Sequence, residues 1–511
     1  MRKLALILLT GSCVALGSGA RSDSLTRSRL EADIKFLADD MLEGRATPSR
    51  GLDLAALYLA NQLHAAGLQP GNGDSYYQTF ANSSYSPEDA KYAVTINGVR
   101  LDSSEYLLLP GGLDPSGIPH RFNMVFAGYG IYAPDRSVND YEGIDVRDKA
   151  AVTMLGAPWD PDPAAIHAYD RIAGKWLQAM VRKASCFVYV SKDFELPKDS
   201  TPAIEVGIFK DAVHMPASYL SEYPKAGWPP GLILLPSAFN KALAKAIGGT
   251  YDEWAQRLKV GMAATREIEG QLEITVNAAP HDGKASNVVA IIPGTDSVLK
   301  KEWVVLSAHY DHLGTLKVPE GQDGIYNGAD DNASGTATIL EIGRRLVSEH
   351  PPKRSVLIIY YAGEEAGLLG SAYHALRPLV PLDQVVININ IDMVGRSDST
   401  LQSLTPGCEE LLLKAQEIGR GRGFAVLPDN YPTWRLIYFV DSYHFARFGI
   451  PIIECFTGMH SDYHQPTDEV GRIRFDKLEN IFNVLYEFTD FYAQGGKRPV
   501  FHRPDWFITP E

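Results

Sequence analysis

Five stretches of this chain are apolar almost throughout: Val288 to Ile292, Trp303 to Ala308, Ser355 to Tyr361, Val385 to Ile391 and Ile450 to Phe456. A strand with one wet face alternates apolar and polar residues, whereas a near-continuous run has both faces covered, as parallel strands between helical layers do. The segments between the runs carry the helical period instead. Ala337, Leu340 and Val347 share a face within Ser334 to Ser348, and Leu478, Ile481, Phe482, Leu485 and Phe488 do so within Phe475 to Tyr492. The pattern predicts an α/β fold in which a mixed, mainly parallel central sheet is sandwiched by helices.

Upstream, Leu30, Ile34, Leu37 and Met41 recur at helical spacing, as do Ala55, Leu59 and Leu63 before Gly67. This predicts two packed helices joined by Leu42 to Pro48. From Ile118 to Arg266 the texture changes to short β-rich runs and turn residues, with prolines at 158, 161, 163, 229 and 230. The predicted organisation is a signal peptide over 1–20, an N-terminal part of the main domain over 21–117, a small β-rich insert over 118–266 and the catalytic domain over 267–511. The leader follows the signal-peptide plan: Arg2-Lys3, apolar Leu4 to Leu9, then small residues ending Ser18-Gly19-Ala20 before Arg21. Export to a periplasmic or extracellular space is expected. A lipid anchor at Cys13 is the rival, although Thr10-Gly11-Ser12 fits poorly before a lipidated cysteine.

No later segment approaches the ~20 apolar residues of a membrane span. A net charge of −14 is spread along 511 residues, and no Lys/Arg-rich run exists to follow a phosphate backbone, which excludes nucleic acid as a partner. Cys186, Cys408 and Cys455 have no metal-type spacing, so one disulfide with a free thiol and three buried thiols both stay open. Nothing in the sequence sets an oligomeric state.

Open α/β sheets place their sites where strands give way to loops. His309 follows the second apolar run, Glu364 and Glu365 the third, Asp392 the fourth and His464 the fifth; Asp331 precedes a helix within Gly328 to Gly335. Two imidazoles and several carboxylates form a mixed N/O donor set that suits zinc, with cobalt or manganese as substitutes. Five donors exceed what one tetrahedral zinc needs; two metals sharing one carboxylate would use them all. Of the adjacent acids, one can bind metal while the other moves a proton. Asp311 is placed to accept the second ring N–H of His309. Alone, a His-x-Asp or a Glu-Glu pair says little, because such groups are usually solvated. Asp392 differs: flanked by Ile391 and Met393, a carboxylate there would be costly to bury unpaired.

Taken together, His309 to Gly314, Asn327 to Gly335, Gly363 to Ser371, Asn390 to Arg396 and Asp462 to Asp468 resemble the secreted dinuclear-zinc aminopeptidases. That family includes enzymes of the glutamate carboxypeptidase type and the metal-free transferrin receptor. The likeness extends to Leu42-Glu43-Gly44-Arg45 and to the insert, which looks like a protease-associated domain. The resemblance implies a zinc-exopeptidase fold and two zinc ions held by His309, Asp331, Glu365, Asp392 and His464, with Asp331 bridging. It further implies Glu364 as general base, a cis peptide after Asp331, and Tyr463 as a donor to the developing oxyanion. Asp441 to Phe445 departs from the family's usual Ser-Asp-His start, which affects the pocket rather than the metals. The implied reaction is removal of N-terminal residues from peptides. Carboxypeptidase, glutaminyl cyclase and non-catalytic binding relatives are the alternatives.

Overall fold

The structure, a computed structural model, describes residues 18–85, 90–133, 136–159, 172–192, 212–214, 229–260, 265–279, 281–316, 318–396, 400–430 and 436–507. Most of the expected leader, including Cys13, lies outside these residues; helix α1 (Ser18–Leu37) begins at its last positions. A short 3-10 turn leads into α2 (Arg50–Ala65), whose first turn is capped by the Ser49 hydroxyl accepting the Leu52 N–H. Strand β1 (Tyr77–Tyr85) then enters the main sheet.

The chain next leaves that sheet and builds a second one. Its elements are β2 (Lys91–Ile96), β3 (Val99–Arg100), β4 (Tyr106–Leu109), β5 (His120–Phe126), β6 (Ala150–Met154), α3 (Ile172–Val181), β7 (Cys186–Val190), β8 (Gly231–Leu234), α4 (Tyr251–Lys259) and β9 (Arg266–Asn277). The strands lie in the order β3-β2-β9-β5-β6-β7-β8-β4. They enclose a core of their own, with Val94, Phe126, Val152, Val188, Trp254 and Leu272 buried together. This sheet reaches beyond the expected 118–266 on both sides. The cause is pairing that no local period reveals: Ile96 stands opposite Leu272 across a very long chain separation.

The main sheet resumes with β10 (His281–Ile292) and β11 (Trp303–His309). It continues through α5 (Gly335–Ser348), β12 (Ser355–Tyr361), α6 (Leu369–Leu376), β13 (Val385–Ile391), β14 (Thr400–Leu404), α7 (Glu409–Gly421), β15 (Ala425–Pro428), β16 (Ile452–Phe456) and α8 (Phe475–Ala493). Strand order is β1-β10-β12-β11-β13-β16-β14-β15, with Ala212–His214 beyond β1. The four central strands β12, β11, β13 and β16 are parallel, and antiparallel pairings flank them. Alternate residues of one strand serve opposite cores. Val356 and Ile358 of β12 join Ile34, Leu59, Leu340 and Ile481 from the helices on one face; Leu357 and Ile359 join Ile437, Phe445 and Phe507 on the other. Both faces are covered, which is why the run reads as uninterrupted. Cys186, Cys408 and Cys455 are all free and buried. No helix among the described residues is long and apolar enough to cross a membrane.

Between α1 and α2 the chain turns so tightly that a Cβ on Gly44 would sit 2.4 Å from the Gly314 carbonyl oxygen, at a positive φ of 66°. That turn drives Arg45 inward until it is only 1% exposed. Its guanidinium donates to the carbonyls of Tyr310 (2.8 Å), Asn327 (2.7 Å), Gly328 (3.1 Å) and Leu37. One side chain therefore ties the end of α1 to two loops of the main sheet. Burial lowers its pKa to about 10, while the charges of Asp311, Asp331, Asp468 and Glu365 oppose the drop. Arg45→Met should destabilise the metal-free protein by about 3–5 kcal/mol, since it strands buried carbonyls and removes a counter-charge. Arg147→Ala, which disrupts an exposed pair at 3.9 Å, should stay within about 0.5 kcal/mol in the same urea unfolding series. Equal losses would show that Arg45 is not the tie.

Beneath the central strands, Glu454 of β16 is 2% exposed; its oxygens accept from Asn390 Nδ2 at 3.0 Å and Ser442 Oγ at 2.7 Å. Burial, aided by the charge of Asp392, pushes its carboxyl up to about 8 from an ordinary 4.5. The fold thus holds a proton that the unfolded chain releases above 4.5, so stability falls as pH rises through that window. Glu454→Gln removes the dependence. Its melting temperature relative to wild type should rise from pH 5 to pH 8 and then level off; a gap independent of pH would contradict the buried, protonated state.

Candidate metal centre

Four of the expected residues sit where the parallel strands end. β11 terminates in His309 itself, Glu364 and Glu365 follow β12, and Asp392 follows β13. Asp331 lies in the irregular turn that opens α5, and His464 lies in the loop after β16. The peptide joining Asp331 to Asn332 is cis. Folding gathers these residues into two groups of donors that share Asp331. His309 Nε2 is 3.2 Å from Asp331 Oδ1 and 3.3 Å from Asp392 Oδ1. His464 Nε2 is 3.1 Å from Asp331 Oδ2 and 3.2 Å from Glu365 Oε2.

These separations test whether the donors suit a cation. A tetrahedral zinc with bonds of about 2.0–2.1 Å spaces its ligands roughly 3.3–3.4 Å apart, close to the distances found. A second observation agrees: Asp392 Oδ1 is buried and makes no well-formed hydrogen bond, with the His309 Nε2 at 3.3 Å as its near polar neighbour. A buried, poorly partnered carboxylate oxygen is costly unless a cation faces it. The charges point the same way. Burial pushes the His464 ring down, but Glu365 and Asp331 outweigh it and hold it up to about 10. His309 is likewise held well above its ordinary range against burial, by Asp392 and Glu364. Burial raises Glu365, yet His464 brings it down to about 2. Metal-free imidazoles keep their protons because the site demands positive charge.

Glu364 belongs to neither group. Partly exposed, it has its carboxyl pushed well up, first by burial and then by the charges of Glu365, Asp441 and Asp392. Its backbone N–H donates to Asp311 Oδ1 at 3.2 Å, and Asp311 Oδ2 accepts from the Thr47 hydroxyl at 3.2 Å. The Asp311 carboxylate is therefore occupied. His309 Nδ1 lies 3.2 Å from the carbonyl oxygen of Asp311 and 3.7 Å from its carboxylate, so the acceptor is the main chain of Asp311 and not the expected carboxylate. Tyr463 stacks its ring on His464, centroids 3.9 Å apart. Burial and the surrounding acids raise its phenol well above the ordinary range, so it stays a donor.

Several neighbours escape a reading by strand ends. Asp468 accepts the N–H groups of Asp330 and Asp331, each at 3.0 Å from its Oδ2, and so holds the turn that presents Asp331. Asp330 faces away: its Oδ1 accepts from Gly395 N–H at 2.6 Å and its Oδ2 pairs with His460 Nε2 at 3.0 Å. His312 meets Glu365, and with Asp331 the three could surround an ion. His312 and Asp468 both fall inside segments quoted for the family likeness, so the signal was present; which acid or imidazole faces inward was not.

A model of peptidase family M28 matches residues 287–489, a span containing every donor named above. Among curated relatives, a probable zinc metalloprotease of Pyrenophora teres f. teres is 32% identical over 26% of this chain and 26% of its own length. A probable leucine aminopeptidase of Trichophyton verrucosum is 34% identical over 30% of this chain and 42% of its own. This chain thus spans about a quarter to two fifths of those relatives. The uncharacterized protein YfbL of Escherichia coli is 36% identical over 40% of this chain and 71% of its own length. Among solved structures, an aminopeptidase from Aneurinibacillus sp. strain AM-1 aligns over 94% of this chain and 96% of its own at a TM-score of 0.48 and 18% identity. With the family model spanning both donor groups and the bacterial relative covered over more than two thirds of its length, this chain belongs to peptidase family M28.

Proposed function

We propose that this chain is a zinc-dependent aminopeptidase that hydrolyses the N-terminal residue from peptides. The observation that carries the reading is the division of Asp331, one carboxylate oxygen toward each imidazole, with Glu364 left outside both donor groups. His309 and Asp392 would hold one zinc, His464 and Glu365 the other, and Asp331 both. Zinc there supplies a Lewis acid for the scissile carbonyl and acidifies water.

The chain's own groups supply the rest. Glu364, whose carboxyl is held above the ordinary carboxylate range by burial and the neighbouring acids, takes the proton from the attacking water and returns it to the leaving amine. Tyr463, kept protonated, donates to the oxyanion that forms at the carbonyl. The preference for an amino end has two supports. Leucine aminopeptidases are among the named relatives. Arg45, beside the ligand loops, is also engaged by main-chain carbonyls, which leaves its guanidinium unable to hold a peptide carboxylate. In this reading the protein is exported, and the insert is a protease-associated domain that shapes access. Receptor relatives that only bind have lost ligands, whereas all five are present here.

Glu364→Gln should keep its zinc and lower kcat by about 10²–10⁴-fold on an aminoacyl-4-nitroanilide. Normal turnover with full zinc would remove Glu364 from the mechanism. Chelation should abolish cleavage and zinc restore it, while N-acetylated substrates should resist throughout. Cleavage of N-blocked peptides from the carboxyl end would overturn the aminopeptidase reading, and activity unaffected by metal removal would overturn the zinc.

A further inference from the structure

His312 lies three residues beyond His309 and is fully buried. Its ring stands edge-on to His464 with centroids 5.7 Å apart. Space for it exists because residue 328 is glycine: a Cβ there would come within 2.6 Å of the imidazole carbons. Its Nδ1 is 2.8 Å from Glu365 Oε1 and 3.8 Å from Asp331 Oδ2. The first distance is a hydrogen bond to a carboxylate, shorter than the roughly 3.3–3.4 Å edge of a tetrahedral zinc site, and the second is longer than that edge. The other oxygen of the same carboxylate, Oε2, is 3.2 Å from His464 Nε2. The two oxygens of Glu365 thus have different neighbours.

From this division we infer that His312 is a positioning residue that acts through Glu365. Its Nδ1–H holds Oε1, so only Oε2 is free to meet the ion shared with His464 and Asp331. The inference rests on the dinuclear reading above and adds to it the reason Glu365 binds through one oxygen. A carboxylate left unrestrained can swing to present both oxygens and fill a coordination position that a catalytic zinc must keep open. The partner also orients the carboxylate before the ion arrives, so its removal costs affinity rather than fold.

Asparagine places an amide nitrogen at the position of histidine Nδ1, glutamine at that of Nε2, and phenylalanine supplies the ring alone. The test uses full-length protein stripped of metal. Zinc per chain and the affinity of the weaker-held ion are read by competition with a chromophoric chelator, and metal-free melting serves as the folding control. The expected result is near wild-type affinity for His312→Asn and a loss of about 10–100-fold for His312→Gln and His312→Phe, with two ions still taken up at high zinc. Full affinity in His312→Gln and His312→Phe would overturn the inference. So would a folded His312→Asn that loses as much as the phenylalanine variant, since the ring itself would then be the ligand. If His312→Phe fails to fold, the asparagine and glutamine variants still decide. Wild type that takes up no zinc would overturn the metal reading instead.

Discussion

The carboxylate of Asp331 is the point on which this site depends. Each of its oxygens faces a different buried imidazole, so its position fixes both donor groups at once. A side chain with that duty needs its backbone held from several directions. Asp468 accepts the amides of Asp330 and Asp331, and Asn332 Nδ2 donates to the Ile391 carbonyl at 3.0 Å. Ser334 Oγ accepts from Val394 N–H at 2.9 Å. The turn that opens α5 is thereby stitched to the end of β13, which carries Asp392. Two of the three ligands of one group, Asp331 and Asp392, are thus linked through the main chain before any metal is considered.

Charge is the second constraint. Asp311, Asp331, Glu364, Glu365, Asp392, Asp441 and Asp468 crowd the ends of a few strands, and among the described residues the fully buried guanidinium of Arg45 is the cation set against several of them. Its contacts run to the main chain and not to the acids, so its charge acts at a distance while its hydrogen bonds fix the loops at 310 and 327–328. Further positive charge comes from protons on His309 and His464 and from Arg396, 3.7 Å from Asp468. Metal would replace those protons, which is the physical sense in which the apo site is already poised for a cation.

The polar groups around the centre divide by which way they face. Asp330 and Asp331 are neighbours in sequence, yet one pairs with His460 and Gly395 while the other faces the ligands. His309 and His312 bracket Asp311; the first meets Asp331 and Asp392, the second meets Glu365. Sequence spacing puts such residues within reach of one another without assigning their roles. The strands were easier to read. β12 and β13 have the bounds of their apolar runs, because burial on both faces leaves an unbroken apolar signature. The second sheet was harder, because β2 and β4 pair with partners far along the chain and, like the two-residue β3, carry no strong local period.

By itself, the sequence determined that a sheet buried on both faces would form and that carboxylates and imidazoles would line the ends of its strands. Those outcomes follow from local apolar periodicity and from the position of each polar residue just past an apolar run. Only the tertiary structure decided which oxygen of Asp331 meets which imidazole, that His309 turns to a main-chain carbonyl, and that His312 takes one side of Glu365. These are matters of direction within a few ångströms. They are set by long-range contacts such as the Arg45 and Asp468 clamps, which join residues 265 and 137 positions apart and leave no period in the chain.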